Sequence, residues 1–495
     1  MRISAHYGLN KNQAQLDFVD VDTTDDIAVY IDPSSIRRLE GMWAEECQVL
    51  LATFFDAVLD AVRHGEKGRV SSLLGKLSEP NETHLGVSHG RSRGRGMGKG
   101  MSNDLAEKLS SSQAAKTGLI EDLEDTALFI EGVGKDIVSD ITTNVIRGAL
   151  ITYTQAMCDF HGIPTETVHS GPVWNSASKA WEDGYTDLPV ASHQKLLMVP
   201  KVIVRRSLHL SKEEYYRNHL IPVLQDEELD NPASQLAQTA KSGRRFVNRQ
   251  DVRNFHGDSK PAVVRLSLER PEVYNHYKRV KRLTETAPLT NEQLAESAGG
   301  LPPDYDALLE AVLETPAGRD YATTYHHNIE ALLSALFYPS LSMPIKEAEI
   351  HEGRKRIDIR YMNSSQDGFF RWLRQHQVAS QYIFVECKNY SRDVENPELD
   401  QISSRFSPIR GKLGILTSRS FKNKDLFLKR CRDTALDHRG FVIALDDDDL
   451  QQLVNDVKRS LEPPTPEEIE AGDPIVRPSR HEYSLLHERY ERLVN

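Results

Sequence analysis

The chain has 495 residues, of which 39% are hydrophobic and 27% are charged, and its formal net charge is −12. These proportions are typical of folded globular protein and exclude a wholly disordered chain, and the length fits roughly three domains. No apolar run approaches the roughly 18 residues of a membrane-spanning helix. The four cysteines form no CxxC pair, which excludes a disulfide scaffold and a cysteine-rich zinc site. We therefore expect a cytoplasmic protein that does not enter a membrane.

Residues 1–165 are expected to form a mostly helical N-terminal domain that recognises a target or senses a trigger. Residues 1–32 favour strands and turns. Residues 36–64 place apolar side chains such as Trp43, Val49 and Phe54 at the period of one long amphipathic helix. Helical patterns resume over residues 103–161.

A Gly- and Arg-rich segment, residues 86–102, separates these helical stretches. Its backbone amides and basic side chains suit contact with phosphate, and a solvated loop is the alternative interpretation. The nucleic-acid-binding candidates here are Arg91, Arg93, Arg95 and Lys99.

Residues 166–283 are expected to form a mixed α/β middle region. It begins with a connecting segment to residue 190, and Leu196–Val204 and Ala262–Leu268 have β patterns. From Lys241 to Leu283 there are 12 Lys or Arg against 4 Asp or Glu. Basic residues interleaved with aromatic ones suit contact with a phosphate backbone, and a solvated helix face explains them equally well. The candidates are Arg244, Arg245, Arg249, Lys278 and Arg279.

An acidic stretch follows, with 7 Asp or Glu and no Lys or Arg from Thr284 to Thr315. We interpret residues 284–318 as a linker with one short helix. At the other end of the chain, residues 461–495 are expected to form a tail that closes with a short charged helix.

Residues 319–460 have the clearest periodicity, in the order α-β-β-β-α-β with a further helix and strand after it. A helix lies between the second and third strands, and a last helix ends the segment. Helices on a central mixed sheet would bury both faces of that sheet. The predicted elements are Tyr321–Phe337, Ile345–Ile350, Arg356–Tyr361, Gln366–Val378, Tyr382–Val385, Pro397–Phe406, Leu413–Thr417, Lys424–Leu436 and Phe441–Leu445.

Three charged residues stand on these predicted strands. Asp358 is flanked by isoleucines, and Glu386 and Lys388 are two residues apart, so they share one face of their strand. Buried charges are costly unless they are paired or bind a metal. Asp358, Glu386 and the Cys387 carbonyl would coordinate Mg²⁺, which activates water and clamps a phosphate oxygen. Lys388 would orient the nucleophile and stabilise the charge that develops on phosphorus.

The segments Arg356-Ile-Asp-Ile359 and Phe384-Val-Glu-Cys-Lys-Asn-Tyr390, in this element order, resemble the PD-(D/E)XK superfamily of restriction-endonuclease-like nucleases. The resemblance covers about residues 320–460. It implies hydrolysis of DNA phosphodiester bonds with Mg²⁺, for which Mn²⁺ can substitute. It also implies that Glu330 on the first helix is a further acidic ligand, and that Gln401 and Arg405 lie over the active site.

The sequence departs from the family pattern in two places. Ile357 stands where many members have proline, and 27 residues separate Asp358 from Glu386. The predicted helix Gln366–Val378 accounts for the long spacer.

The expected architecture is therefore multidomain, with a mostly α N-terminal domain, a mixed α/β middle and a C-terminal α/β nuclease core. It resembles stand-alone bacterial anti-phage defence nucleases, whose trigger would be phage-derived or a protein. A homodimer would supply two active sites for two strands, although nothing in the sequence indicates one. Three alternatives stay open: a non-catalytic nucleic-acid-binding protein with a degenerate nuclease fold, a nuclease that cuts RNA, and a regulatory protein that binds a protein partner.

Overall fold

The longest strands of the chain lie in one mixed sheet. The computed structural model describes residues 1–86, 99–284, 287–350, 355–462 and 481–495. In the sheet the strand order follows the chain order, from Leu341–Ile350 to Phe441–Leu445. The first strand pairs antiparallel with the second, and the second pairs antiparallel with the third. The third, fourth and fifth strands run parallel to one another. The parallel strands are connected through helices, as parallel pairing requires.

Residues 319–460 contain all the elements that the sequence predicts there, with boundaries that shift by a few residues. Helices α17 to α21 are Ala322–Phe337, Gly368–Gln375, Asn396–Ser403, Lys424–Leu436 and Asp447–Leu461. Strands β11 to β15 are Leu341–Ile350, Lys355–Asn363, Tyr382–Lys388, Leu413–Ser418 and Phe441–Leu445. A short 3₁₀ turn, Arg319–Tyr321, precedes the first helix. The predicted order α-β-β-β-α-β is thus confirmed as an order of elements.

Before residue 284 the described chain is mostly helical. Helices α1 to α9 are Ile3–His6, Pro33–Arg38, Met42–Arg63, Lys67–Leu74, Lys99–Ser111, Gln113–Thr117, Asp125–Phe129, Lys135–Val145 and Arg147–His161. Helices α10 to α14 are Lys212–Tyr215, Ile221–Asp230, Arg249–His256, Lys260–Glu269 and Pro271–Leu283, with a π-helical turn at Tyr216–Leu220. Short 3₁₀ turns lie at Gln13–Gln15, Asn81–Thr83 and Lys201–Ile203.

Short strands accompany these helices and pair two by two. Strands β1 to β5 are Tyr30–Ile31, Glu166–His169, Val173–Asn175, Ala180–Glu182 and Tyr185–Leu188. Strands β6 to β10 are Val190–Ala191, Gln194–Lys195, Val204–Arg205, Ala237–Thr239 and Arg245–Val247. All five of the two-stranded pairs among the described residues are antiparallel.

Several N-terminal and middle predictions are wrong in detail. The single helix expected over residues 36–64 is two helices, α2 and α3, and Val49 is 51% exposed. The connecting segment expected up to residue 190 contains four strands. Ala262–Leu268 is helical, because Ser259 caps α13 and a proline occupies its first turn.

The acidic stretch and the tail are packed parts of the fold. Where one short helix was predicted, the structure has α15, Asn291–Ser297, and α16, Tyr305–Leu313. The apolar residues Tyr305, Leu309 and Val312 of α16 are buried against the sheet's core, so the acidic side chains occupy only its outer face. The C-terminal helix α22, Ser484–Val494, buries Leu485, Leu486, Tyr490 and Leu493 in the same core.

Two apolar cores result from this packing. The larger takes most of its residues from Ile3 to Leu294, so segments 1–165 and 166–283 share it. The second takes most of its residues from Tyr305 to Leu493 and surrounds the mixed sheet. In the described parts of the chain, no helix is long and apolar enough to cross a membrane.

Truncating Leu486 tests whether the C-terminal helix belongs to the second core. Because Leu486 is fully buried, we expect Leu486→Ala to lower stability by about 2–5 kcal/mol. The matched control is Leu436→Ala, since Leu436 is 56% exposed and its truncation should change stability by less than about 0.5 kcal/mol. Urea unfolding followed by circular dichroism measures both. Equal effects of the two variants would contradict the packing of α22.

Asp140 on α8 gives the fold a pH dependence. Burial, and then the charges of Glu79, Asp136 and Asp26, raise the pKa of Asp140 to about 8. As pH rises, the unfolded chain therefore loses this proton first, and stability falls between about pH 4 and pH 8. We expect Asp140→Asn to raise the melting temperature by a few degrees at pH 8 and to change it little near pH 4. Thermal unfolding across this pH range measures the difference, and a shift that is independent of pH would contradict it.

Candidate active site

The antiparallel register of β12 and β13 brings two carboxylates together. Ile359 lies opposite Val385 and Arg360 lies opposite Phe384, so the next position of the ladder sets Asp358 opposite Glu386. Side chains that are directly opposite in a sheet point to the same face. Asp358 also accepts a hydrogen bond through Oδ2 from the backbone amide of Cys387, at 2.9 Å.

Glu386 is buried and is held by two cations. Its side chain is 1% exposed, and its Oε1 accepts a hydrogen bond from Lys388 Nζ at 2.7 Å. Its Oε2 accepts a hydrogen bond from the guanidinium of Arg405. Burial, and then the charge of Asp358, raise the pKa of the Glu386 carboxyl, while Lys388 and Arg405 oppose that shift. The protein therefore holds a desolvated carboxylate beside a second one and balances it with two positive charges.

Lys388 is fixed by contacts on both sides. Its Nζ donates to Gln401 Oε1 at 3.0 Å as well as to Glu386. Burial lowers the pKa of Lys388, but the charge of Glu386, the hydrogen bond to it, and the charges of Tyr390 and Asp358 together outweigh burial, so the pKa is raised. Lys388 thus remains a cation, and α19 orients it through Gln401.

Contacts at both ends of helix α19 hold its polar residues against the sheet. Glu395 and Glu398 form a capping box at its start, and a proline stands in its first turn. Leu399 and Ile402 are buried in the sheet's core. Phe406, just past the end of the helix, stacks on Phe384 with ring centres 5.8 Å apart. This anchoring places Gln401 beside Lys388 and Arg405 beside Glu386, near the end of β13.

Two arginines that the sequence analysis did not name lie at Tyr382, where β13 begins. Arg360 is two residues after Asp358 on β12, so period-2 alternation puts it on the same face. Its guanidinium lies 4.5 Å from the ring centre of Tyr382. Burial lowers the pKa of Arg360, and the charge of nearby Arg410 acts in the same direction. The alternation that identified Glu386 and Lys388 would also have identified Arg360, whereas Arg410 has no local sequence signal.

The structure does not bring Glu330 into this group. Tyr361, whose side chain points away from the Asp358 face, hydrogen-bonds through its hydroxyl with Ser334 at 2.9 Å. Helix α17 therefore lies on the opposite face of the sheet. Glu330 is buried there and pairs with Lys11 at 2.7 Å and with Lys346 at 3.9 Å.

The remaining predicted contacts to nucleic acid divide into buried and exposed residues. Lys278 is 8% exposed and pairs with Glu121, Asp122 and Asp125, so it is not available to a phosphate backbone. Arg405 is likewise buried, against Glu386. Exposed positions are occupied by Arg244, Arg245, Arg249 and Arg279. Outside the described residues lie Arg91, Arg93, Arg95 and the side chain of Lys99.

The donor set fits a small divalent cation with oxygen ligands. Asp358 and Glu386 supply neighbouring carboxylates, which is the ligand chemistry that Mg²⁺ prefers. No cluster of three or more His, Cys, Asp and Glu side chains suited to a metal occurs in the described part of the chain. The predicted set is accordingly two carboxylates completed by the Cys387 carbonyl and by water or substrate oxygens.

Comparison with known proteins leaves the chemistry of this site unassigned. Residues 8–211 match the family model described as "Domain of unknown function (DUF8370)". Neither the curated proteins nor the solved structures contain a match to the chain. The matched segment ends before α16 to α22 and the sheet, so it does not include the candidate site.

The Glu386–Arg405 contact can be measured by a double-mutant cycle. Removing one partner of a buried pair costs about 3–5 kcal/mol, and the remaining contact with Lys388 reduces that cost here. We expect Arg405→Gln to lower the urea midpoint, and Glu386→Gln on the same background to restore part of it. The coupling should be about 1–3 kcal/mol.

The control cycle uses Arg492→Gln and Glu488→Gln, whose side chains pair at 2.5 Å and are 56% and 52% exposed. Because an exposed cation is screened by water, this coupling should be below about 1 kcal/mol. Additive effects at Glu386 and Arg405 would contradict the buried ion pair.

Proposed function

We propose that the C-terminal part of this protein, residues 319–460, is a Mg²⁺-dependent nuclease of the PD-(D/E)XK type that hydrolyses DNA phosphodiester bonds. The observation behind the proposal is the grouping of Asp358, Glu386 and Lys388 on one sheet face, with Lys388 bonded to Glu386 at 2.7 Å. The order of helices and strands around the group supports the same assignment. Restriction of foreign DNA is the cellular role that this chemistry would serve.

Each residue has a distinct task in the proposed reaction. Asp358 and Glu386 would hold Mg²⁺, which lowers the pKa of a bound water and draws charge from the scissile phosphate. Lys388 holds its ammonium next to Glu386, where it can orient the attacking water and stabilise charge on a phosphate oxygen. Gln401 keeps Lys388 in place through its 3.0 Å hydrogen bond. Arg360, on the same sheet face as Asp358, lies over the ring of Tyr382 and would add positive charge toward the start of β13.

A second candidate function is supported by a specific contact. Both oxygens of Glu386 accept hydrogen bonds from cations, Lys388 on one and Arg405 on the other. If Arg405 keeps that position, its charge replaces a metal at Glu386. The protein would then bind nucleic acid without cutting it, using the nuclease fold as a scaffold.

Cleavage assays with matched variants test the nuclease proposal. We expect purified protein to cut plasmid DNA in Mg²⁺ or Mn²⁺ and not in EDTA. Glu386→Gln and Lys388→Met should each slow cutting by at least about 10²-fold, because each removes charge that acts on the reacting phosphate. Asp433→Asn, at an exposed position of α20 away from the site, is the control and should cut normally. A parallel assay with RNA shows which nucleic acid is the substrate.

Direct metal binding separates the two candidate functions. Electron paramagnetic resonance measures free Mn²⁺ with wild-type protein and with Asp358→Asn. Binding that the substitution weakens, together with metal-dependent cutting, supports the nuclease. Bound DNA with neither Mn²⁺ binding nor cutting would identify the non-catalytic alternative.

A further inference from the structure

A hairpin and the helix that follows it present unpaired positive charge outside the candidate active site. Strands β9 and β10 form the hairpin, and β10 continues into α12 within two residues. From Ala237 to Val247 the sequence contains no acidic residue. The exposed cations of this region that form no ion pair, together with one from the adjacent π-helical turn, are Arg217, Lys241, Arg244, Arg245 and Arg249. We name these five residues the basic surface.

The charges of the basic surface are not neutralised by the fold. Among the described residues, none of its five cations has a carboxylate within ion-pair distance, and Arg245 reaches only the carbonyl of Asn231, at 3.5 Å. Neighbouring cations, in contrast, form ion pairs: Arg253 pairs with Asp258, and Arg270 pairs with Glu227. In a chain of net charge −12, five adjacent exposed cations without partners indicate an anionic partner.

The hairpin is held firmly enough to present these charges in a fixed place. Val247 is buried in the larger core, and its carbonyl accepts a hydrogen bond from Gln225 of α11 at 2.6 Å. At the turn, Gly243 has a φ of 81°, a conformation that favours glycine. The side chains around the turn therefore project from a short, anchored element.

A groove adjoins the basic surface. It has a volume of about 520 Å³, and Arg217 and Arg249 lie along it. Its three acidic residues have partners, since Asp258 pairs with Arg253, Glu213 with Lys212 at 3.4 Å and Glu214 with Lys281 at 2.6 Å. The groove thus adds a concave path with net positive charge next to the hairpin.

Two aromatic side chains accompany the charges. Phe246, on β10, is 39% exposed, and Phe255, on α12, is 65% exposed. Exposed aromatic rings beside basic residues suit the stacking of bases as well as contact with phosphates. An acidic protein partner would use the charges but would not account for the rings.

We infer that the basic surface binds the phosphate backbone of DNA, as a docking site separate from the candidate active site. The choice of DNA over another polyanion rests on the proposed nuclease function and on the exposed rings. The hairpin is anchored in the larger core, whereas Asp358 and Glu386 lie in the mixed sheet, so binding at the basic surface and cutting can be measured separately.

Fluorescence anisotropy with labelled duplex DNA in EDTA tests this inference without any cleavage. The test variant combines Arg217→Gln, Arg244→Gln, Arg245→Gln and Arg249→Gln. The control combines Arg63→Gln, Lys67→Gln, Lys116→Gln and Lys179→Gln, which changes the net charge equally at exposed positions elsewhere. We expect the test variant to bind at least about tenfold more weakly, with a salt slope lower by about 0.9 for each phosphate that it no longer neutralises. The control should bind like wild type.

Other outcomes overturn the inference in distinguishable ways. Equal weakening by both variants would mean that general charge, not this surface, attracts DNA. Wild-type protein that binds no DNA would overturn the DNA assignment, and tighter binding to labelled RNA would replace it. Phe246→Ala should weaken binding of single-stranded DNA by about fivefold or more if the ring stacks on a base.

The test also separates this inference from the nuclease proposal. Binding is measured in EDTA, where no metal-dependent cutting takes place, and cutting is then measured in Mg²⁺ for the wild type, the test variant and the control. Binding that depends on the basic surface but is never followed by cutting would refute only the nuclease. Cutting that is unchanged in the test variant, with unchanged binding, would refute only the docking site.

Discussion

The placement of a buried carboxylate at Glu386 is the constraint that organises the C-terminal part of the molecule. A carboxylate that is 1% exposed is stable only where nearby cations offset the loss of water. Lys388 supplies one of these cations from the same strand, and Arg405 supplies the other from beyond α19. The position of α19, and the stacking that anchors it, can therefore be understood as the support that this one charge requires.

Periodicity made this part of the chain predictable. The apolar run before Glu386 fixes a buried strand, and a spacing of two fixes which side chains share its face. The same rule placed Asp358 on the sheet face of Glu386 and Tyr361 on the opposite face. It could not place Glu330, because helix α17 packs on the face that faces away from Asp358, and a sequence does not state which face a helix covers. The sequence analysis named Arg405 as a nucleic-acid contact over the site, whereas its pairing with Glu386 depends on packing across the sheet.

Elsewhere, predictions failed because the composition of a segment was given more weight than the apolar spacing and helix caps within it. Seven acidic residues and no basic residue suggested a linker over residues 284–318. The spacing of the apolar residues Tyr305, Leu309 and Val312 is instead that of a helix packed on one face. Valines and leucines suggested a strand at Ala262–Leu268, although Ser259 and Pro261 mark the start of a helix. Lys278 counted as a free base in the sequence, yet three acids from a segment about 155 residues earlier neutralise it. Long-range pairing of this kind leaves no local pattern.

The two cores are joined by polar contacts that involve the edge of the mixed sheet. Asp17 accepts a hydrogen bond from the backbone amide of Met343 at 2.9 Å, where the pairing of β11 with β12 is irregular. Lys11 pairs with buried Glu330 on α17 at 2.7 Å. Both partners from the N-terminal side lie within residues 8–211, the segment that matches the family of unknown function. Strand β11 pairs with β12, and β12 holds Asp358. The N-terminal segment therefore contacts the strand that lies next to the strand of Asp358.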